Sequence, residues 1–303
     1  MSDNTEFRKE LEERTKQINE QIESYLPEEK GHQKTIFEAM NYSVKAGGKR
    51  LRPLFMQEIC RLFTGEVQPV VVPFMAAIEM IHTSSLVHDD LPCMDDDMMR
   101  RGQASTWAEY GEDMGVLAGD ALMIYAFEVA AKAFKEVSDA DDLKRVGRAI
   151  EILASKTGIY GMIGGQTVDV ELAGGPIPKN KLDFIYRLKT GALIEASMLI
   201  GAVLGGAAEE DCKIVESLAG KVGLAFQIQD DILDVTSTAE ELGKPVHSDE
   251  KNNKVTYVTL FGTEKAAEQV EELSEKAIDL LKSLNKNNEF LYLLIEKLIN
   301  RRK

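Results

Sequence analysis

Apolar residues recur along this chain at the three- and four-residue spacing of amphipathic helices, and no segment keeps the apolar–polar alternation of a half-buried strand. A first helix is expected before Pro27, where Phe7, Leu11, Ile18 and Ile22 share one face. Later helices are expected over about 32–45, 53–63, 73–89, 116–134, 142–159, 181–204, 211–235, 264–284 and from 289 onward. The pattern predicts an all-α fold, a bundle of about ten or more helices.

Length and composition favour one large domain. The 303 residues contain no long stretch of proline, glycine and serine that would act as a linker, so a single domain is expected over 1–303. No run approaches the roughly 20 apolar residues that cross a bilayer, and the N-terminus lacks a signal-peptide pattern, so no stable membrane insertion is expected. Three cysteines, an odd and sparse set, fit a reducing cytoplasm.

Charge limits the class of partner. The formal net charge of -15 argues against nucleic acid, because the chain would on average repel its phosphates. A small polyanionic substrate could still bind where metal ions and local Lys or Arg reverse the sign. Two aspartate clusters, each at the end of an apolar run, indicate where this could happen: Asp89, Asp90 and 95–97, then Asp230, Asp231 and Asp234.

Carboxylates crowded at the edge of a core need cations, since mutual repulsion and lost hydration would otherwise make some of them take up protons. Hard carboxylate oxygens indicate magnesium rather than zinc, and magnesium usually shares its coordination with substrate phosphates. The clusters therefore suggest a diphosphate held between two walls. An acidic helix end that enters a solvated loop, for the first cluster, and a set of surface acids, for the second, are the alternatives.

Spacing supports a metal role for both clusters. Pro92 is expected to bend or end the helix after Asp89, so that Asp95 can fold back beside it. Asp230 and Asp234 stand four residues apart on one helical face, which suits two carboxylates that reach one cation. A purely structural helix would gain nothing from like charges at this spacing.

Basic residues near the clusters could bind phosphate. Arg100 and Arg101 follow the first cluster directly and would provide bidentate donors, although arginines and aspartates could also screen one another. The loop 47–53 combines two glycines with three cations and, together with His82, offers a second anion site; an ordinary basic turn is the alternative. Further possible phosphate contacts, which mean little singly, are Lys189 with Thr190, Lys244 and Lys254.

An ordered set of motifs covers nearly the whole chain. They read GGKRLRP at 47–53, HDDLPCMDDDMMRRG at 88–102, LAGDAL at 117–122, GGQTVDVE at 164–171, KTGALIEAS at 189–197, FQIQDDILD at 226–234, GK at 243–244 and KVTY at 254–257. In these motifs the chain resembles the trans-polyprenyl diphosphate synthases, the farnesyl and geranylgeranyl diphosphate synthase family, and most of all a bacterial geranylgeranyl diphosphate synthase. The resemblance implies the isoprenoid synthase fold, a helical bundle around a central cavity, and a homodimer.

The resemblance also divides the candidate residues between two substrates. It implies that isopentenyl diphosphate is held by Lys49, Arg52, His82 and Arg101. Around the allylic diphosphate it places Arg100, Lys189, Thr190, Gln227, Lys244 and Lys254, with Lys189, Thr190, Gln227 and Lys244 assisting catalysis. The implied magnesium ligands, for about three Mg²⁺ ions per active site, are Asp89, Asp95, Asp230 and Asp234, with Asp90 and Asp231 behind them.

The implied reaction is a head-to-tail (1'-4) condensation. Magnesium and basic side chains would neutralise the leaving diphosphate of the allylic substrate and ease the formation of an allylic carbocation. The double bond of isopentenyl diphosphate would then attack this cation. Loss of a proton to the departing diphosphate would leave an all-trans allylic product that is one isoprene unit longer, so no nucleophile–histidine pair is required.

Product length is expected to depend on the helix that carries Asp89. Ser84 lies about 7.5 Å of helix rise before Asp89, where many farnesyl synthases that resemble this chain have an aromatic floor. Serine removes that floor, which together with the expanded first aspartate motif favours geranylgeranyl diphosphate, and Met80 or Ile81 would form a deeper stop. Farnesyl diphosphate is the alternative, if another large side chain such as Phe127 closes the tunnel earlier.

Some positions depart from the family pattern. Residues 103–107 read Gln-Ala-Ser-Thr-Trp where the family commonly has Lys-Pro-Thr and then His two positions on, so a differently shaped turn is expected. His247 stands where glycine is common, and Val255 where a small hydroxyl residue is common. Neither Trp107 nor His247 is assigned a catalytic role.

Two other classes of protein compete with this interpretation. A class I terpene cyclase would share the all-α fold and the first aspartate cluster, but it should lack the basic loop and usually carries an Asn/Ser/Glu second motif. A non-catalytic synthase subunit, or an acidic calcium-binding protein, predicts that one cluster is broken. Both clusters are intact in this sequence.

Overall fold

The computed structural model describes residues 2–236 and 255–299. The candidate residues Lys244 and Lys254, and also His247, lie outside the described residues. The chain divides into two compact units, Met1–Ile150 and Glu151–Lys303. Each unit is described by itself, and the single-domain expectation stays a prediction.

The first unit is helical apart from one short hairpin. Its elements are α1 (Ser2–Glu23), α2 (Lys34–Lys45), α3 (Leu51–Thr64), a 3-10 turn (Pro69–Val71), α4 (Val72–Asp89), β1 (Met99–Arg100), β2 (Gln103–Ala104), α5 (Thr106–Tyr110), α6 (Glu112–Ala131), a 3-10 turn (Lys132–Lys135) and the first part of α7 (Ala140–Thr157). The hairpin is antiparallel and pairs Met99 with Ala104 and Arg100 with Gln103.

The second unit contains helices throughout its described residues. After the end of α7 come α8 (Met162–Glu171), α9 (Lys179–Ile185), a π-helical segment (Tyr186–Gly191), α10 (Ala192–Leu204), α11 (Glu209–Thr236), α12 (Tyr257–Phe261), α13 (Thr263–Ser283) and α14 (Glu289–Ile299). The predicted all-α class is confirmed. Sequence periodicity did not identify α5, α8, α12 or the hairpin, which are all short.

The helix α4 forms the centre of the first unit. Twelve of its residues are buried, in every turn from Pro73 to Val87, and it packs most extensively against α6. Glycine on α6 makes this approach possible, because a Cβ at Gly119 would lie only 2.1 Å from His88 Nε2. The proline at 73 suits the first turn, where its missing N–H is not needed. The helix therefore runs through the core and emerges at Asp89.

The second unit is built around α10. All thirteen residues of this helix are buried, and it packs against α11 and the π-helical segment. The helix α11 also packs against α13, whose buried residues recur at helical spacing, as at Ala266, Val270, Leu273 and Ala277. The aspartates of α11 differ in burial, since Asp231 and Asp234 are buried and Asp230 is only half-buried.

Among the described residues, two helical stretches are long and apolar enough to cross a membrane by length and composition, Pro69–Asp89 and Glu112–Lys135. In the first, 78% of the most apolar window is buried inside the protein, which is typical of a core helix. In the second only 39% of that window is buried, so α6 presents an apolar face. The expectation of no membrane insertion stays a prediction.

Candidate functional site

The first aspartate cluster is a loop that closes on the end of α4. The backbone N–H of Asp95 donates to the carbonyl of Asp89 at 2.9 Å, and the N–H of Asp97 donates to the carbonyl of Asp90 at 3.1 Å. Inside the loop, Met94 N–H donates to Leu91 O at 2.8 Å. These bonds bring Asp95 beside Asp89 after the chain has turned at Pro92.

Asp90 is engaged by an arginine of the hairpin. The Nε of Arg100 donates to the two carboxylate oxygens at 2.9 and 3.2 Å, and Nη2 makes a further contact. Burial raises the pKa of Asp90, and Arg100 opposes this shift. Arg100 also reaches Asp97 Oδ2 at 3.3 Å. Asp90 therefore orients Arg100, while Asp89 and Asp95 lie together where the loop leaves α4.

Arg101 explains the two glycines of the basic loop. Its guanidinium donates to the carbonyl of Gly47 and lies flat against Gly48, where a Cβ would be only 2.8 Å from Nη2. Both glycines also have positive φ, 82° and 139°, a region that side chains disfavour. This contact joins the basic loop, with exposed Lys49, to the arginines that follow the first cluster.

Arg50, in the middle of the basic loop, has a different place. It is 3% exposed and pairs with Glu79 at 2.7 Å, while it also donates to Asn19 Oδ1 and Val44 O at 2.7 Å each. Its backbone is left-handed, with φ of 48°. Since its donors are directed at α1, α2 and α4, Arg50 fixes the loop to the core rather than facing an anion.

His82, Arg52 and Arg101 lie together in the first unit. Burial, followed by the charges of Arg52, Arg101, Arg50 and Arg100, lowers the pKa of His82 well below its ordinary value of 6.5. The imidazole is therefore neutral near pH 7. Burial lowers the pKa of Arg52 to about 10, which leaves this side chain charged, and its Nε is buried without a hydrogen-bond partner. The arrangement is a positive patch suited to a polyanion.

The π-helical segment carries Lys189 and Thr190 in the second unit. Two glycines allow neighbouring helices to approach it: a Cβ at Gly165 would lie 2.2 Å from Lys189 N, and one at Gly223 would lie 3.0 Å from Gly191 Cα. Thr190 Oγ1 donates to Gln227 Oε1 on α11 at 2.8 Å. A single wide turn thus seats Thr190 against α11, and such turns are frequent at functional sites.

Lys189 pairs with an aspartate that the sequence interpretation did not single out. Its Nζ lies 2.6 Å from Asp169 Oδ2 on α8, and both side chains are partly exposed. Asp169 belongs to the GGQTVDVE motif at 164–171, which the sequence offered only as a match to the family. Asp169 holds the ammonium of Lys189 in a defined position.

The second aspartate cluster contains two kinds of carboxylate. Asp231 is 3% exposed and accepts from the phenol of Tyr186 at 2.5 Å and from the backbone N–H of Tyr257 at 2.9 Å. Asp230 is half-buried, and Asp234 is 2% exposed one turn further along α11. Tyr186 is a second residue that the sequence did not indicate, because its partner lies 45 residues away.

A polyprenyl synthetase family model matches residues 33–292, which include both aspartate clusters and the basic loop. The chain belongs to the polyprenyl synthetase family. The predicted family and prenyltransferase class are therefore confirmed. The names of its relatives specify different products, geranylgeranyl or farnesyl diphosphate.

Two relatives and one solved structure illustrate this range of named activities. The chain is 45% identical to "Heterodimeric geranylgeranyl pyrophosphate synthase large subunit 1, chloroplastic" of Arabidopsis thaliana, over 81% of this chain and 66% of that protein. It is 40% identical to farnesyl diphosphate synthase of Geobacillus stearothermophilus, over 86% of each chain. A geranyltransferase from Helicobacter pylori, complexed with magnesium and isoprenyl diphosphate, superposes with a TM-score of 0.79 at 32% identity, over 94% of this chain and 95% of that one.

The residues of this polyprenyl synthetase fit magnesium. Within residues 2–236 and 255–299, no three acidic, histidine or cysteine side chains converge into a ready-made metal cage. Each aspartate cluster nevertheless offers hard carboxylate oxygens, and magnesium keeps several waters and takes one or two carboxylates plus substrate phosphates. In the first unit Asp89 and Asp95 would hold magnesium, while Asp90 is held by Arg100. In the second unit Asp230 and Asp234 would hold magnesium, while Asp231 is held by Tyr186.

Proposed function

We propose that the chain condenses isopentenyl diphosphate head to tail with allylic diphosphates and makes geranylgeranyl diphosphate as its main product. The observation that carries this proposal is the arrangement in the first unit. There an aspartate loop that fits magnesium is joined through Arg100 and Arg101 to a separate positive patch at Gly47, Arg52 and His82. An enzyme that binds two diphosphates needs two such adjacent places.

The positive patch would bind the homoallylic substrate. Arg52 and Arg101 supply planar donors for phosphate oxygens, and Lys49 adds an ammonium from the glycine loop. Neutral His82 can donate one hydrogen bond without adding charge. These contacts hold the double bond of isopentenyl diphosphate in place, and such positioning lowers the barrier of a reaction between two substrates.

The allylic substrate would use the aspartates. Magnesium, when bound to them, would neutralise the diphosphate as it leaves. Arg100 is held ready beside the first cluster by Asp90, and Lys189 is held in the second unit by Asp169. The oxygen atoms of Thr190 and Gln227 form a polar pair at 2.8 Å whose dipoles could stabilise the allylic cation. Lys244 and Lys254 are proposed to assist on the basis of their motifs alone.

The proposed product length rests on the side chains of α4 that precede Asp89. Ser84 is completely buried, and its hydroxyl donates to Ile81 O at 2.8 Å, so the side chain adds little volume one and a half turns before Asp89. Met80 and Ile81 are also completely buried and follow as the next large side chains. Farnesyl diphosphate remains the second candidate, since a relative with 40% identity is a farnesyl diphosphate synthase.

We further propose a homodimer that assembles through α6. Leu117 and Ile124 lie seven residues apart on one face of this helix and are 49% and 72% exposed. Only 39% of the most apolar window of the stretch Glu112–Lys135 is buried, and exposed apolar side chains grouped on one face indicate a surface that another chain covers. Light scattering should find a dimer for the wild type and for Ile124→Leu, and a shift toward monomer for Ile124→Lys. A wild-type monomer would contradict the proposal.

A cytoplasmic location is proposed from the cysteines. All three, Cys60, Cys93 and Cys212, are free thiols, and Cys93 is exposed. Exposed free thiols are maintained in reducing compartments. Fractionation of the native host, with immunodetection of the chain, tests this location.

Product analysis tests the catalytic proposal. The purified chain is incubated with isopentenyl diphosphate and with dimethylallyl, geranyl or farnesyl diphosphate, with and without Mg²⁺. Consumption of isopentenyl diphosphate should require both magnesium and an allylic starter, and farnesyl diphosphate should be extended to geranylgeranyl diphosphate. If no starter supports consumption, the proposed function is wrong. If farnesyl diphosphate accumulates and is refused as a starter, only the product assignment is wrong.

A further inference from the structure

Trp107, the single tryptophan of the chain, touches the aspartate loop. Its indole Nε1 donates to the backbone carbonyl of Asp97 at 3.0 Å. Asp97 is the residue whose own N–H closes the loop onto Asp90 at 3.1 Å. The tryptophan therefore holds the peptide at the point where the loop that carries Asp95 returns to α4.

Packing reinforces this hydrogen bond. A Cβ at Gly115 on α6 would lie 2.9 Å from Trp107 Cβ and 3.0 Å from Leu91 Cδ2. Leu91 belongs to the aspartate loop, is 4% exposed, and accepts backbone hydrogen bonds from Met94 and Asp96. The glycine thus creates the space in which the tryptophan backbone and the loop both rest against α6.

The end of β2 and the start of α5, the helix that carries Trp107, are anchored to α2. Tyr42 Oη donates to Ala104 O at 2.8 Å, and the hydroxyls of Ser43 and Thr106 lie 2.7 Å apart in a buried contact. A hydrogen bond between a fixed donor and a loop restrains the loop, whereas a bond from a mobile donor would not. These anchors give Trp107 a fixed position.

We infer that Trp107 is a positioning residue for the first aspartate cluster, setting where Asp95 stands relative to Asp89 and so how tightly the cluster holds magnesium. The inference rests on the proposed function, because it takes that cluster as the magnesium site. The indole touches the loop backbone, and the inferred effect on metal binding passes through the loop.

The experiment compares Trp107→Phe, which removes the N–H but keeps a ring, with Trp107→His, which restores a ring N–H at a similar distance from the backbone. Tyr125→Phe is the matched control. It removes another hydrogen bond from a ring to a backbone carbonyl in the same unit, Tyr125 Oη to Tyr25 O at 2.8 Å. For each protein, the melting temperature is measured as Mg²⁺ is added in the presence of inorganic diphosphate.

Trp107→Phe should need about 2- to 10-fold more Mg²⁺ than wild type for half of the melting-temperature increase, the range expected for one lost hydrogen bond. The Mg²⁺ requirement of Trp107→His should return toward that of the wild type, and the requirement of Tyr125→Phe should equal the wild-type value. The same increase should appear in the magnesium dependence of turnover, with the KM for isopentenyl diphosphate unchanged. In the wild type, tryptophan emission should change over the same magnesium range.

A Trp107→Phe variant that melts lower but keeps the wild-type magnesium dependence would overturn the inference, since it would show packing alone. Unchanged emission would also count against it. If the wild type itself shows neither condensation nor stabilisation by magnesium and diphosphate, the proposed function fails instead, so the two failures are distinguishable.

Discussion

Tyr186 donates a hydrogen bond of 2.5 Å to the Asp231 carboxylate, in the interior of the second unit. The same carboxylate oxygen accepts the backbone N–H of Tyr257 at 2.9 Å. One buried carboxyl group therefore ties the π-helical segment, α11 and the start of α12 together. A carboxylate used in this way is directed into the protein, which separates its role from that of Asp230.

Replacement of Tyr186 by Phe tests this connection. It leaves a buried carboxylate short of one donor, so the free energy of unfolding should fall by about 1–3 kcal/mol. In a double-mutant cycle with Asp231→Ala, the two changes should couple by about 0.5–3 kcal/mol. Tyr160→Phe, at a side chain that is 78% exposed, is the control and should leave urea unfolding unchanged. Additive effects would show that the hydrogen bond contributes nothing.

The aspartates proposed as magnesium ligands should be separable from the other acids of the chain. Asp89→Asn and Asp230→Asn should each lower kcat/KM by about 100-fold or more, the usual cost of losing one group that stabilises transition-state charge. Asp279→Asn, at an exposed position of α13, should not. Steady-state kinetics at saturating Mg²⁺ measures this, with circular dichroism to verify folding. Near wild-type rates for Asp89→Asn would remove it from the metal site.

Ser84→Tyr should shorten the product from geranylgeranyl to farnesyl diphosphate while isopentenyl diphosphate consumption continues. The physical reason is volume, since the phenol ring would occupy space beside the growing chain on the face that leads to Asp89. Ser84→Ala, which removes only the hydroxyl bonded to Ile81 O, should keep the wild-type product. Mass spectrometry of the dephosphorylated products decides. Unchanged product length in the tyrosine variant would place the growing chain elsewhere.

Arg50→Met should destabilise the first unit strongly, because it leaves Glu79 buried without its ion-pair partner. Both side chains are 2% exposed, and removal of one member of a buried pair costs about 3–5 kcal/mol. The matched control, Arg8→Met, changes an exposed arginine of α1 and should have little effect. Chemical denaturation measures both. A small loss for Arg50→Met would mean that Glu79 is neutralised in another way.

His82 should make stability depend on pH in a defined direction. Its folded pKa lies well below 6.5, so between that pKa and 6.5 the unfolded chain binds the additional proton. The contribution of His82 to the free energy of unfolding is therefore fully present above pH 6.5 and is lost as the pH falls. The loss should be about 1 kcal/mol between pH 7.5 and 5.5. His82→Asn should lack this slope, whereas His32→Asn, at an exposed position, should keep it. Urea midpoints across that range measure the difference.

Much of the fold was predictable because a long helix gives a clear local repeat of apolar positions in the sequence. The bounds of α2, α3 and α11 agree with the periodic apolar positions to within a few residues, whereas the single helix predicted over 181–204 is divided into α9, the π-helical segment and α10. The short elements α5 and α8 were missed, since each is too short for its apolar positions to form a clear repeat and depends on neighbours for its stability. The hairpin was missed for the same reason, as two-residue strands have no alternation to detect.

Candidate residues were recognisable by type, but their individual roles were not. The sequence identified three cations in the basic loop, yet only the structure distinguishes Arg50, which is tied to Asn19 and Glu79, from Lys49 and Arg52. It likewise gave no reason to connect Lys189 with Asp169. Partners that lie 20 or more residues apart are brought together by packing, which local periodicity does not encode.

The sequence by itself determined the helical class, the hard-oxygen chemistry of the aspartate clusters and, through its ordered motifs, the family. These are properties of residue type and short-range spacing. The tertiary structure decided which of several chemically identical side chains is engaged in the interior. Asp90 is committed to Arg100 and Asp231 to Tyr186. A carboxylate next to another in the chain acquires a different role only when folding gives it a different partner and a different degree of burial.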